Sequence, residues 1–213
     1  MVMIKIYFQI KFGMTVLMNK NKVAIIDYGI NNISSLTKAF NIIDVKNKVI
    51  ENYKELRNFS HLILPGIGSF DYGINNLKER GFKDEIIISA NKGCFILGIC
   101  LGMQLLFEKS EESQSNVSGL SLVKGKCNKF KSSNRSKVRV PHIGWNSLEI
   151  IKPSKLLKSI PNNSDFYFLH SYYVSNENLS SVAVCKHGIE FTAAFEFKNI
   201  MGTQFHPEKS FLK

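Results

Sequence analysis

Short apolar runs alternate with amphipathic stretches along the first hundred residues, and this rhythm limits the fold more than any other feature of the chain. VAIIDYG (23–29) is apolar on both faces and stops at glycine, and KVIE (48–51), HLILPG (61–66) and CFILGIC (94–100) repeat the pattern. Between them, NISSLTKAFNII (32–43) has helical spacing through Ile33, Leu36, Phe40 and Ile43. SFDYGINNLKER (69–80) and FKDEIIISANK (82–92) read as helices as well. Strands buried on both faces and alternating with helices predict a doubly wound, mostly parallel α/β sheet flanked by helices. Functional residues of such sheets gather at the carboxyl ends of the strands. The second half changes character: SLVKGKCNKF, HIGWNSLEI, DFYFLHSYYV, SVAVCKHG, EFTAAFEF and IMGTQFHPE follow closely with little helix between them. They predict an additional antiparallel strand region completing the same domain. No linker or repeat divides residues 23–213, which are long enough to bury a core.

Residues 1–22 are set apart as an N-terminal extension. In VMIKIYFQIKF (2–12) apolar residues recur at period two, a strand pattern without the parts of a signal peptide. Met14 and Met18 are alternative starts. No run is apolar enough to span a membrane. Four scattered cysteines (94, 100, 127 and 185), with no Cys-x-x-Cys pair and no zinc-ligand spacing, suit a reducing cytoplasm and imply no metal. The formal charge of +11 admits nucleic acid, an anionic membrane, a phosphorylated substrate or an acidic partner, but is read as lysine-rich solvated faces. Residues 124–139 carry seven basic residues and one aromatic, Phe130. That is read as a solvated hairpin; neither nucleic acid nor a membrane is expected as a partner.

The chemistry concentrates at Gly98-Ile99-Cys100-Leu101-Gly102. Gly-x-Cys-x-Gly between an apolar strand and an amphipathic stretch (Leu101 to about Lys109) has the form of a nucleophile elbow. Flanking glycines remove Cβ atoms that would collide in so tight a bend. Free N–H groups at the helix start favour a thiolate and can hold an oxyanion. A cysteine in a tight βα turn is ordinarily just a small buried residue, so partners are needed. QFHPEKS (204–210) supplies them: in an extended segment His206 and Glu208 share a face, and a carboxylate beside an imidazole sets its tautomer. Together they make a candidate Cys100/His206/Glu208 triad. LPGIGSF (64–70), at the end of another strand, is a glycine turn whose N–H groups are available to the same site, although taken alone it reads as a mere turn.

LPGIGSF, GICLGMQLLFEKSEE, VPHIGWNSL, FYFLHSYYV and QFHPEKS, in this order, resemble the class I (triad) glutamine amidotransferases, whose fold is flavodoxin-like. They resemble most closely the glutaminase branch that serves imidazole glycerol phosphate synthase, from about Val23 to Ser210. The resemblance implies that Cys100 attacks the side-chain amide of glutamine, that His206 protonates the departing ammonia, and that Glu208 orients His206. It implies an oxyanion hole from Leu101 and the Gly66, Ile67, Gly68 turn, and glutamine held by Gln104, His170, Ser171 and Tyr172. No cofactor is implied. The implied partner is a (β/α)₈ cyclase subunit, paired as a heterodimer, which takes the ammonia and makes imidazole glycerol phosphate and an aminoimidazole carboxamide ribotide in histidine biosynthesis. Two other readings stay open: a paralogous glutaminase feeding a surface-polysaccharide sugar amidotransferase, and an inactive binding domain or other cysteine hydrolase.

Three features depart from the family pattern. Tyr28-Gly29-Ile30-Asn31-Asn32 stands where the family usually has Tyr-Gly-x-Gly-Asn, and asparagine tolerates the left-handed backbone better than most residues. The family continues past His-Pro-Glu-Lys-Ser into a last helix, whereas this sequence runs to Lys213. The extension over 1–22 has no counterpart.

Overall fold

A computed structural model describes residues 23–30, 32–131, 138–175 and 180–210. The strand expected over 2–12, Asn31, part of the basic segment and the last three residues lie outside the described residues.

Four parallel strands form one side of the main sheet: β1 (Val23–Ile26), β2 (Asn47–Ile50), β3 (His61–Leu64) and β4 (Phe95–Ile99). They are joined through helices α1 (Ile33–Ile42), α2 (Phe70–Glu79) and α3 (Phe82–Asn91). After α4 (Leu101–Leu105) come β5 (Lys109–Ser110), β6 (Lys126–Lys129), β7 (His142–Ser147), β8 (Glu149–Ile150), β9 (Asp165–His170), β10 (Tyr172–Ser175), β11 (Ser181–His187), β12 (Ile189–Phe197) and β13 (Ile200–Thr203). The main sheet runs β2-β1-β3-β4-β13-β12-β10-β6-β5, with β11 joined to β12 and β8, and β7 and β9 form a separate antiparallel pair. The expected mixed architecture is therefore present.

The strands explain their own burial. Along β1 and β3, Ala24, Ile26, Leu62 and Leu64 face one core with Phe70, Ile74, Leu77, Phe82 and Ile86 of α2 and α3. The alternate residues Val23, Ile25 and Ile63 face a second core with Leu36 and Phe40 of α1. Period-two alternation between two apolar faces is what a strand covered on both sides requires. The second core is closed by Phe166 and Phe168 of β9, so the β7–β9 pair does there what a helix does elsewhere.

Four local expectations are corrected. The helix after Cys100 ends at Leu105 rather than near Lys109. Leu120 N–H bonds the Leu105 carbonyl at 2.8 Å and Leu122 N–H bonds that of Leu106 at 3.0 Å, so a returning loop replaces the helical ladder. HIGWNSLEI and DFYFLHSYYV each break, at Leu148 and Ser171, into strands of two different pairings. The basic segment is solvated at Lys124, Lys126, Lys129 and Lys131 as expected, but it contributes β6 to the main sheet, with Cys127 fully buried.

Placement of the site follows from strand order. β3, β4 and β13 are parallel neighbours, with Leu64 and Gly202 both in register with Gly98. Their carboxyl ends therefore deliver Pro65–Gly68, Cys100 and Gln204–His206 to one edge of the sheet, although 140 residues of chain separate the first from the last.

Candidate active site

Cys100 occupies φ 53°, ψ −110°, a region a side chain rarely enters. Its N–H bonds the Thr203 carbonyl at 2.7 Å and its carbonyl accepts Gln104 N–H at 3.2 Å, which hold the bend closed. The glycines are steric necessities. A Cβ at Gly102 would fall inside the Leu64 carbonyl, and one at Gly98 would lie 2.6 Å from the Gly102 carbonyl oxygen. The result is a thiol lifted clear of the sheet at the start of α4, where the leading N–H groups have no carbonyl within the helix to bond.

His206 and Glu208 approach the thiol from β13. His206 itself is extended (φ −100°, ψ 94°), as the proline after it predicts, but it caps a 3₁₀ turn, Pro207–Lys209, so the segment does not stay extended as far as Glu208. The turn, started by proline, brings Glu208 Oε1 to 2.8 Å from His206 Nδ1, with both side chains buried. Nδ1 therefore carries the proton donated to Glu208. His206 Nε2 is buried with no hydrogen-bond partner among the described residues, so it is the nitrogen left for a reacting group. Burial pulls the His206 pKa down, but the charge of an ionised Cys100 and the Glu208 carboxylate outweigh it, and the value rises to about 10. That direction favours an imidazolium near neutral pH.

A cavity of about 260 Å³ brings together Ile67, Gly68, Cys100, Leu101, Gln104, His170, Ser171, Tyr172 and His206. Gly66 sits behind it, where a Cβ would meet the Tyr28 hydroxyl at 2.6 Å, and Glu208 lies behind His206. The Tyr28 hydroxyl donates to the Pro65 carbonyl at 2.7 Å and Ile67 N–H bonds the Ile30 carbonyl at 3.3 Å. Tyr28 and Ile30 thus brace the glycine turn.

Two predicted ligand-binding side chains are largely committed to the protein. Gln104 Nε2 donates to the Tyr172 carbonyl at 3.0 Å and to Gln204 Oε1 at 2.9 Å, leaving its own Oε1 for a ligand. Burial lowers the His170 pKa to about 3, so the ring is neutral. Its Nδ1–H donates to Tyr172 O at 2.8 Å, and its Nε2 lies 3.0 Å from His142 Nδ1. Both ring nitrogens are engaged.

Glu112 is a cavity residue that sequence reasoning did not find. Its Oε2 accepts Phe70 N–H at 2.8 Å across 42 residues, a contact no local pattern announces. Burial, with the nearby Asp71 charge, raises its pKa against the pull of that N–H. A cationic ligand would relieve both penalties. Among the described residues no cluster of histidine, cysteine or carboxylate could hold a metal ion, and no helix is long and apolar enough to cross a membrane.

The family model of class-I glutamine amidotransferases matches residues 24–211. The chain belongs to this family. It is 45% identical over 189 residues to the imidazole glycerol phosphate synthase subunit HisH of Caldanaerobacter subterraneus subsp. tengcongensis, covering 88% of this chain and 91% of that one. It is 41% identical to HisH 1 of Campylobacter jejuni and 39% identical to HisH of Leptospira interrogans, with 88% of this chain covered in each and 92% and 93% of the relatives. Among solved structures, a glutamine amidotransferase superposes with a TM-score of 0.68 at 15% identity, over 87% of this chain and 90% of that one. Another, from Thermotoga maritima, gives 0.62 at 17%, over 90% and 77%. At such identities these two establish the amidotransferase fold alone.

Proposed function

We propose that this chain is the glutaminase subunit of imidazole glycerol phosphate synthase, and that Cys100, His206 and Glu208 carry the reaction. The observation that supports it best is the buried His206–Glu208 pair beside a cysteine held in a strained elbow, since strain of this kind costs stability and clusters at functional sites. The Cys100 thiolate attacks the glutamine side-chain carbonyl, and the oxygen takes the electron pair. His206 Nε2–H gives its proton to the amide nitrogen, which leaves as ammonia when the intermediate collapses to a γ-glutamyl thioester. Water activated by the now neutral His206 hydrolyses the thioester to glutamate and regenerates the thiol. Leu101 N–H and the Gly66–Gly68 turn hold the oxyanion. Ammonia passes to a (β/α)₈ cyclase partner in a cytoplasmic heterodimer.

Glu112 is suited to the α-ammonium of glutamine, because it is a half-buried carboxylate on the wall of the Cys100 cavity. Glu112→Gln is expected to raise KM for glutamine about tenfold with kcat little changed, since it removes one charge-assisted bond remote from the scissile amide. Steady-state glutamate release decides this, and an unchanged KM assigns the ammonium elsewhere.

A glutamine-analogue electrophile tests the assignment of the nucleophile. It is expected to label Cys100 alone. Burial pushes the Cys94 and Cys185 thiols up to about 12 and Cys127 higher still, so none forms a thiolate near pH 7. Preferential labelling of any of those three, read by peptide mass mapping, overturns the elbow assignment.

A further inference from the structure

Gln204 separates β13 from the catalytic histidine's turn, and its side chain is fully buried beside the nucleophile. Its Nε2 lies 3.7 Å from Cys100 Sγ, within reach for an N–H···S bond. The other side of the sulfur meets the Leu169 carbonyl at 3.6 Å. A carbonyl accepts from a neutral thiol but repels a thiolate. Gln204, like the His206 ring, is thus a contact that improves when the sulfur ionises.

An amide has two ends, and only one can donate. The surroundings settle which end faces the sulfur. Tyr172 O is an unambiguous acceptor, and it lies 3.0 Å from the Gln104 amide, so that end of Gln104 is its NH₂ group. The same NH₂ lies 2.9 Å from Gln204, which must present its oxygen there. The Gln204 NH₂ is then turned to Cys100. The chain of direction runs from a backbone carbonyl through two side chains to the thiol, with no titratable group in it.

We infer that Gln204 is a positioning residue for the nucleophile, holding an N–H on the Cys100 sulfur in its ionised form while Gln104 locks that amide in the donating orientation. The inference rests on the reading of Cys100 as the nucleophile. It gives Gln104 a second task besides the ligand contact expected from its place in the cavity. It also accounts for a buried glutamine at a position where an apolar side chain would otherwise suit the core.

The test is the pH dependence of Cys100 alkylation by iodoacetamide in the full chain, located by peptide mapping. Gln204→Met keeps the length and removes the donor. Its alkylation midpoint is expected to rise by about one pH unit, the effect of losing one hydrogen bond to a charged group. The rate above the new midpoint should recover to that of the parent, which a merely misshapen site would not do. Gln204→Glu, nearly isosteric and unable to donate when ionised, is expected to shift the midpoint further. In the complex, kcat for glutamine should fall about tenfold in Gln204→Met with KM close to unchanged.

Superimposable alkylation profiles in a variant that melts cooperatively overturn the inference. So does loss of cooperative melting in both variants, which would assign Gln204 to the fold and not to the thiol. If the midpoint moves but the parent complex releases no glutamate from glutamine, the glutaminase reading fails and the role of Gln204 stands.

Discussion

Cys100→Ala is expected to abolish glutamine-dependent turnover of the complex while leaving ammonia-dependent turnover intact. Alanine removes the sulfur but keeps the elbow, since Gly98 and Gly102, not the thiol, make the bend possible. Without a nucleophile no thioester forms, and the loss should be on the order of 10⁴-fold or more. Externally supplied ammonia bypasses this cavity and reaches the cyclase directly, so that activity reports whether the partner and the interface survive. His206→Ala should behave in the same way, because it removes the imidazole that delivers the proton to the leaving nitrogen. Glu208→Gln should be less severe by roughly tens-fold, since a hydrogen-bonding group remains beside Nδ1. Full glutamine-dependent activity in Cys100→Ala would remove the proposed mechanism altogether.

What could be read in advance divides along the range of the interactions involved. Two-faced strands announce themselves within four or five residues, because burial on both sides leaves no polar position, as in HLIL of β3. The elbow is equally local: two glycines around a cysteine encode a clash that the Leu64 carbonyl then makes concrete. His206 and Glu208 were legible as partners but not in their geometry, since the backbone leaves the extended form after His206 and it is the bend from cap into turn that brings the two side chains together. Glu112 and Gln204 were not legible. The first works through a backbone N–H 42 residues away, the second through an amide 100 residues away, and neither contact has a local signature. The break at Ser171 is of the same kind. Only the competition between β7 and β6 for adjacent segments decides that β9 and β10 part there and converge on the cavity.

Glutamate release is expected to be nearly silent in the isolated chain and to rise on the order of 10²- to 10³-fold when the cyclase partner is bound and loaded with its phosphoribulosyl nucleotide. Ammonia lost to water is wasted glutamine, so a subunit of this kind gains from idling until an acceptor is ready. The glycine turn of the free chain has the geometry of such a resting state. Ile67 N–H is turned away to the Ile30 carbonyl at 3.3 Å, although Ile67 itself lines the Cys100 cavity. Rotating the one peptide plane between Gly66 and Ile67 would exchange that weak bond for a donor aimed at the oxyanion. Gly66 supplies the freedom in ψ, and its missing side chain leaves room under the Tyr28 hydroxyl. The restraint is light, a 3.3 Å bond against a donor to developing negative charge, so a docked partner need supply little differential binding to tip it. Losing one oxyanion donor costs about 10²- to 10³-fold in rate, which sets the size of the stimulation. Three measurements suffice: the chain alone, with its (β/α)₈ partner, and with partner plus nucleotide. Gly66→Ala should depress glutamate release by the loaded complex, because the added methyl group would lie 2.6 Å from the Tyr28 hydroxyl and force the turn out of place. Equal rates in all three states would show that the oxyanion hole is already formed and that Ile67 does not gate it. Stimulation by a sugar-modifying amidotransferase but not by the nucleotide-loaded cyclase would transfer the chain to the surface-polysaccharide branch while leaving the switch itself in place.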